Sequence, residues 1–327
     1  MRTPLSLIDF CTIHPGETPR HSMQRSVDMA QRAEKLGYHR IWYAEHHNMP
    51  HIASSAPAVL IAHVGAHTQT IRLGSGGVML PNHSPYVVAE QFGTLAELYP
   101  DRIDLGLGRA PGTDMNTLGR ALRRHANAAE HFPQDVMELE GYLTGQSRIP
   151  GVTAVPGAGT DVPLYILGSS LYGATLAAQL GLPYSFASHF APTHLEQAVS
   201  TYRENFQPSE KHAEPHVIAA VNVVASDSEA DAVRQLEEVY RRRVRAMAGR
   251  GRHFTEEQLD QIIASPQGRQ IIDMLRYTAV GTGEQVRDYL EGFRRTAQAD
   301  ELMISLQGVS EEETNRGMEI LAEVWDL

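Results

Sequence analysis

Glu45, His46 and His47 stand together at the end of the apolar run Ile41-Trp42-Tyr43-Ala44. An apolar run that stops at a carboxylate and two imidazoles reads as a buried strand whose end opens into a site. Imidazole titrates near neutrality, so a histidine there can take or give a proton during turnover. Glu45 could orient a ring or serve packing alone. Two histidines hydrogen-bonded in a loop is the plainer alternative, and spacing alone leaves it open. A metal centre on His46, His47 and His51 is disfavoured. Adjacent histidines at a strand end point to opposite sides, and the i, i+4 pair of a helical zinc motif is missing.

Four further clusters carry chemistry. Gly74-Ser75-Gly76-Gly77 allows a bulge, a plain kink, or close approach of a flat ligand to backbone. Gly106-Leu107-Gly108-Arg109-Ala110-Pro111-Gly112 resembles a dinucleotide fingerprint, but its glycine spacing is wrong and no helix begins at Gly108. Arg109 is the better clue, since its guanidinium fork suits a phosphate or carboxylate. Gly168-Ser169-Ser170-Leu171-Tyr172-Gly173 leads directly into an apolar helical run. Small hydroxyl residues there leave backbone N–H groups facing an anion, or simply cap the helix. Ser188-His189-Phe190 either closes a loop, the favoured reading, or sends His189 into the site.

The elements that must position these clusters repeat about every 30 residues through the first third. Strands are expected at Leu5–Phe10, Arg40–Ala44, Ile71–Gly74 running into Ser75-Gly76-Gly77, Arg102–Leu107, Pro163–Leu167, Tyr184–Ala187, His216–Ala225 and Glu301–Ile304. Helices fall between them, the first capped by Ser22 and stopped by Gly37. Residues 114–143 read mostly as helix. Residues 227–278 read as a long charged helical region broken near Ser265-Pro266, and 283–296 as another helix. Eight strand–helix pairs in this length give a (β/α)8 TIM barrel with insertions, of class α/β, with a doubly wound sheet as the rival. One domain over 1–327 is expected, with excursions near 145–163 and 240–280. In a barrel, active sites lie at the C-terminal strand ends, where all the clusters fall. A flat, phosphorylated cofactor fits them together. Its rings would lie against Gly76-Gly77 and its phosphate would reach Arg109 and the 169–173 turn.

Composition narrows the partners. The chain has 327 residues, 42% hydrophobic and 20% charged, and a net charge of −11. That balance argues against nucleic acid or an anionic membrane surface, which need a positive face. Cys11 is the single cysteine, so neither an intrachain disulfide nor a cysteine metal cluster can form. There is no signal-peptide core and no apolar stretch near membrane-spanning length, so a cytoplasmic protein is expected.

Ala44-Glu45-His46-His47, Leu73 to Pro85, Asp101 to Arg109, Leu167-Gly168-Ser169-Ser170, Val280 to Gly283 and Ala299 to Met303 resemble the bacterial luciferase-like flavin monooxygenases, over most of the chain. The resemblance implies a barrel binding FMN without a covalent link, in which reduced FMN and O2 give a C4a-hydroperoxide that oxidises a small organic substrate. It assigns catalysis to His46, with His47 structural. It implies a cis peptide at Gly76-Gly77 against the isoalloxazine, and phosphate binding by Arg109, Gly168, Ser169, Ser170, Tyr172 and Gly173. A separate flavin reductase and a homodimer are implied, and no metal. F420-dependent hydride transfer and passive flavin binding are the alternatives. Gly108 stands where bacterial luciferase has a reactive cysteine, which argues against light emission. The charged segment 240–280 sits where luciferases carry a mobile lid, so a different substrate is expected.

Overall fold

Short apolar runs buried on both faces form parallel strands, because only helices on one side and neighbouring strands on the other can cover them. The computed structural model describes residues 3–125, 127–249 and 254–327. Its strands are β1 (Leu5–Asp9), β2 (Arg40–Tyr43), β3 (Arg72–Met79), β4 (Ile103–Gly108), β5 (Leu164–Gly168), β6 (Tyr184–Phe186), β7 (Val217–Ala225), β8 (Thr278–Gly281) and β9 (Glu301–Leu306). All pairings among them are parallel. β1 to β6 pair in sequence order, β9 joins β1 to β7, and β6 pairs with β7. That closes an eight-stranded barrel and removes the open-sheet rival.

β8 is an extra strand, absent from the sequence expectation. β6 is short and covers β7 only from Val217 to Ala219. The same edge of β7 is left open further along, and β8 pairs with it from Asn222 to Ala225. Four residues are too few to show a strand period, so β8 could be found only from its place in the fold.

The helices are α1 (Pro19–Leu36), α2 (Pro57–Gly65), α3 (Pro85–Leu98), α4 (Phe132–Leu143), α5 (Leu171–Leu180), α6 (Leu195–Asn205), α7 (Glu229–Gly249), α8 (Glu256–Ala264), α9 (Pro266–Asp273), α10 (Gly283–Thr296) and α11 (Glu311–Trp325). α1 starts earlier than expected: Thr18, not Ser22, is its N-cap and accepts from the His21 N–H at 3.4 Å. Ser22 is buried and donates to the Thr12 carbonyl at 2.9 Å. Gly37 ends the helix in the left-handed region at φ 88°, as expected. Residues 114–143 hold less helix than expected, a short π turn at Thr117–Ala121 preceding α4. The break at Ser265 is real: it caps α9 through a bond from the Gly268 N–H. Residues 250–253, inside the expected 240–280 excursion, lie outside the described residues. The stretch 145–163 holds no strand or helix. It lies on α3 so closely that a Cβ on Gly93 would come within 2.1 Å of the Gly157 Cα.

The N-terminal end of the barrel is filled by charge. Arg40 donates to Asp104 at 2.7 Å, to the Tyr165 hydroxyl at 2.8 Å and to Glu301 at 3.1 Å. Trp42 Nε1 donates to Asp104 at 3.2 Å, Ser6 donates to Glu301 at 2.5 Å, and Arg72 pairs with Asp104. Arg40, Asp104 and Glu301 are all buried. Removing one member leaves buried charge uncompensated. Arg40→Met should therefore lower unfolding stability by about 3–5 kcal/mol, read from urea denaturation. A change below 1 kcal/mol, on the order of a surface ion pair, would show that the cluster is not load-sharing.

Candidate active site

β2 delivers Glu45, His46 and His47 to the C-terminal end of the barrel, and the three residues separate there. The Glu45 carboxylate is buried. It accepts from His47 Nε2 and His83 Nε2, each at 2.8 Å, and from the Met79 N–H at 3.0 Å. Burial alone would raise its pKa. The hydrogen bonds from His47 and His83 outweigh that and hold it at about 2. Glu45 thus ties the end of β2 to the end of β3 and to the start of α3. His83 is a partner that strand-end reasoning missed, because it lies in the turn before that helix.

His46 has different surroundings. Its N–H donates to the Ser54 carbonyl at 3.0 Å, and its ring lies 5.9 Å from the Phe10 ring. Its Nδ1 is sealed from solvent and has no hydrogen-bond partner. Burial lowers its pKa, Glu45 opposes this, and His47, His51 and Arg243 add to the lowering. At neutral pH His46 is therefore the neutral imidazole, able to accept a proton. The His189 ring also lies 5.9 Å from the Phe10 ring. It is buried with both ring nitrogens unpartnered, and burial, Arg243 and His46 push its pKa down to about 3. Its carbonyl, accepting from Asn222 Nδ2 at 2.7 Å, does close the loop as expected, but the ring is aimed inward. Among the described residues, the ligand-type side chains that gather most closely are Glu45, His47 and His83, with donor atoms within 4.8 Å, and not His46, His47 and His51. There both imidazoles already bond one carboxylate oxygen.

The glycines sit at a bulge. The β3–β4 register shifts between Ser75 and Val78, and the Gly76–Gly77 peptide is cis. A Cβ on Gly77 would come within 2.7 Å of the Gly106 carbonyl oxygen, and one on Gly76 within 3.0 Å of the Trp42 Cβ. Strand packing therefore already requires glycine at Gly77 and leaves little room for a side chain at Gly76, whatever lies above them.

β4 and β5 bring up the second half of the site. The Arg109 guanidinium lies 3.8 Å from the centre of the Tyr172 ring, a cation–π contact. Arg124, which spacing did not single out, donates to the Arg109 carbonyl at 3.3 Å and to Asn82 at 2.9 Å. No carboxylate pairs with Arg109 or Arg124 among the described residues. Ser170 is the extended N-cap of α5, and its hydroxyl makes no capping bond. The first-turn N–H groups of that helix therefore keep their capacity for an anion. Gly168 and Gly173 let the start of α5 meet the end of β5, since a Cβ on either would lie 3.4 Å from the other's Cα. Two unpaired guanidinium groups beside a helix start make a donor set that fits a phosphate.

The luciferase-like monooxygenase family model matches residues 6–300. This chain belongs to that family. A luciferase-like monooxygenase of Escherichia coli strain K12 is 47% identical, covering 92% of this chain and 91% of its own. The N-acetyl-S-alkylcysteine monooxygenase of Bacillus subtilis strain 168 is 37% identical over 69% of this chain and 70% of its own. The crystal structure of apo-MsnO8 shares 33% identity with a TM-score of 0.88, covering 99% of both chains. Two more distant structures show the fold alone. They are the oxygenating constituent of a Pseudomonas putida 3,6-diketocamphane monooxygenase in complex with FMN, at 15% identity and a TM-score of 0.74, and an F420-dependent secondary alcohol dehydrogenase, at 16% and 0.71.

Glu45 gives this member of the family a pH signature. Its folded pKa is depressed below the ordinary 4.5, so its ionised form stabilises the fold above that value and the contribution is lost as pH falls through about 2. Glu45→Gln should be clearly less stable than the parent at pH 7, and the gap in urea midpoints should narrow steadily below pH 4.5. A gap that stayed constant down to the acid limit would refute the assignment.

Proposed function

We propose that the protein is an FMN-dependent monooxygenase of the two-component type, oxidising a small organic substrate with O2. One observation carries the reading. A donor set suited to phosphate, at Arg109, Tyr172 and the start of α5, shares one barrel end with a sealed neutral imidazole, His46. Reduced FMN, when bound, supplies the electrons that activate O2, and a separate reductase would recharge it. Gly168, Ser169, Ser170, Tyr172 and Gly173 hold the phosphate with Arg109, and Arg124 adds charge behind it. Gly76 and Gly77 present flat backbone to the ring system. His46 accepts or holds a proton at Nδ1, and Phe10 keeps water from it. His47 serves structure through Glu45.

F420-dependent hydride transfer is the second reading, and Arg124 favours it, since a second guanidinium beside Arg109 suits a more acidic cofactor. Titration with FMN and with F420, followed by mixing the reduced complex with O2, separates the two. Tight F420 binding without FMN affinity would sink the first reading. Fast oxidation of the bound reduced flavin by O2 supports it.

Two variants report on the roles. Arg109→Met should weaken FMN binding about 10- to 100-fold, as loss of a charge-assisted phosphate contact does, measured by flavin fluorescence. His46→Ala should leave FMN affinity within about twofold and slow substrate oxidation roughly 100-fold or more, the usual worth of a positioned proton acceptor. Unchanged turnover would remove His46 from the mechanism.

A further inference from the structure

The ends of β7 and β9 carry a polar network that the proposed chemistry leaves unused. Side chains alternate between the two faces along a strand. Ile218 and Ala220 of β7 and Met303 of β9 pack with Trp42 and Tyr165 inside the barrel. Asn222 and Ser305 come two residues further along their strands, so they also face inward, one layer nearer the C-terminal mouth. They are register partners and both are buried. Gln307 follows β9 and is half-buried at that mouth.

The two amides in this network have one orientation each. The His189 carbonyl can only accept, so the Asn222 atom that meets it at 2.7 Å is Nδ2. The same nitrogen reaches the Tyr277 carbonyl at 3.4 Å, and both of its hydrogens are then spent. Asn222 Oδ1 is left turned to Gln307 and can only accept. Gln307 must offer Nε2 to it, at 3.0 Å, and the second hydrogen goes to Ser305 Oγ at 2.8 Å. One backbone carbonyl thus sets two amides in series. The atom left over is Gln307 Oε1. It has no hydrogen-bond partner among the described residues and, unlike the ring nitrogens of His189, it is not sealed from solvent.

Strand order decides what this oxygen faces. In the closed ring β1-β2-β3-β4-β5-β6-β7-β9, β9 stands opposite β4 and β7 opposite β3. Gln307 is therefore across the mouth from Arg109, and Asn222 across from the Gly76–Gly77 bulge. β9 also neighbours β1, and the Phe10 ring that follows β1 lies 5.9 Å from the His46 ring. A cofactor held by β3, β4 and β5 leaves the β7–β9 wall to the substrate. We propose that Gln307 sets specificity through Oε1, selecting substrates that carry an N–H or O–H donor. A carbonyl held in one orientation gains a hydrogen bond from such a group and repels an oxygen brought to the same point. The proposal rests on the monooxygenase reading for placing the substrate on this wall, but the binding claim is tested separately.

The test is calorimetric binding to the whole protein, with and without FMN, of two pairs of near-isosteric probes. N-butylacetamide is compared with butyl acetate, and hexan-1-ol with 1-fluorohexane, so that each pair differs by one donor. The parent protein should bind at least one donor probe about tenfold more tightly than its partner, the upper range for one neutral hydrogen bond. Gln307→Met keeps the length of the side chain and removes the carbonyl. It should bring the members of that pair within about twofold and leave FMN affinity unchanged. Gln307→Leu repeats the measurement should the methionine variant fold poorly. The proposal is overturned if the parent prefers neither donor, if the preference survives in the methionine and leucine variants, or if they lose FMN binding instead. Absence of FMN binding in the parent would count against the monooxygenase reading alone, because the probe comparison is also made without cofactor.

Discussion

The pairing of Arg40 with Asp104 and Glu301 inside the barrel is the contact on which the rest of the architecture leans. Three ionised groups withdrawn from water are tolerable only when each finds its counter-charge at close range. Through Ser6, Trp42, Arg72 and Tyr165 the cluster reaches six of the eight barrel strands, β1 to β5 and β9. Register in a parallel barrel couples every strand to its neighbours, so holding the N-terminal ends also decides where the C-terminal ends stop. Those ends carry His46, Gly76, Arg109 and Ser170.

The two ends of the barrel have opposite electrostatic characters. At the closed end the charges are compensated and the ring stacks of Trp42 and Tyr165 lie against Arg40, with guanidinium-to-centroid distances of 5.7 and 5.1 Å. At the open end the carboxylate of Glu45 is taken up by His47, His83 and the Met79 N–H. What remains toward the site is neutral imidazole and cationic guanidinium. A surface of that kind suits anions, even on a chain whose net charge is −11. Local placement of charge, not the total, decides what the site attracts.

Much of this was legible in the residues. The eight closing strands were recognisable because each is an apolar run bounded by turn residues, and the residues quoted for the family resemblance lie at or beside the strand ends. Glu45-His46-His47 announced a site and a split between its two histidines, but not the second partner of Glu45, because His83 lies 38 positions along the chain. His189 reads as a loop residue by spacing, and only the barrel's curvature brings it to Phe10, which His46 also meets. Arg124 falls in the stretch 114–143 that reads mostly as helix, and its nearness to Arg109 is purely tertiary. β8 escaped notice because its existence depends on the shortness of another strand. Ser22 misled because a hydroxyl in a first helical turn and a hydroxyl at a cap look alike until the backbone is seen.

β7 and β8 have a consequence of a different sort. The chain leaves the barrel at Ala225 and returns at Thr278, where Val224 and Ala225 pair with Val280 and Gly281. Both ends of the intervening segment are therefore sewn to each other, and its helices carry a small core of their own around Val244, Leu259 and Ile271. Such a segment is a cassette. Changes within that core leave the pairing of the eight closing strands untouched.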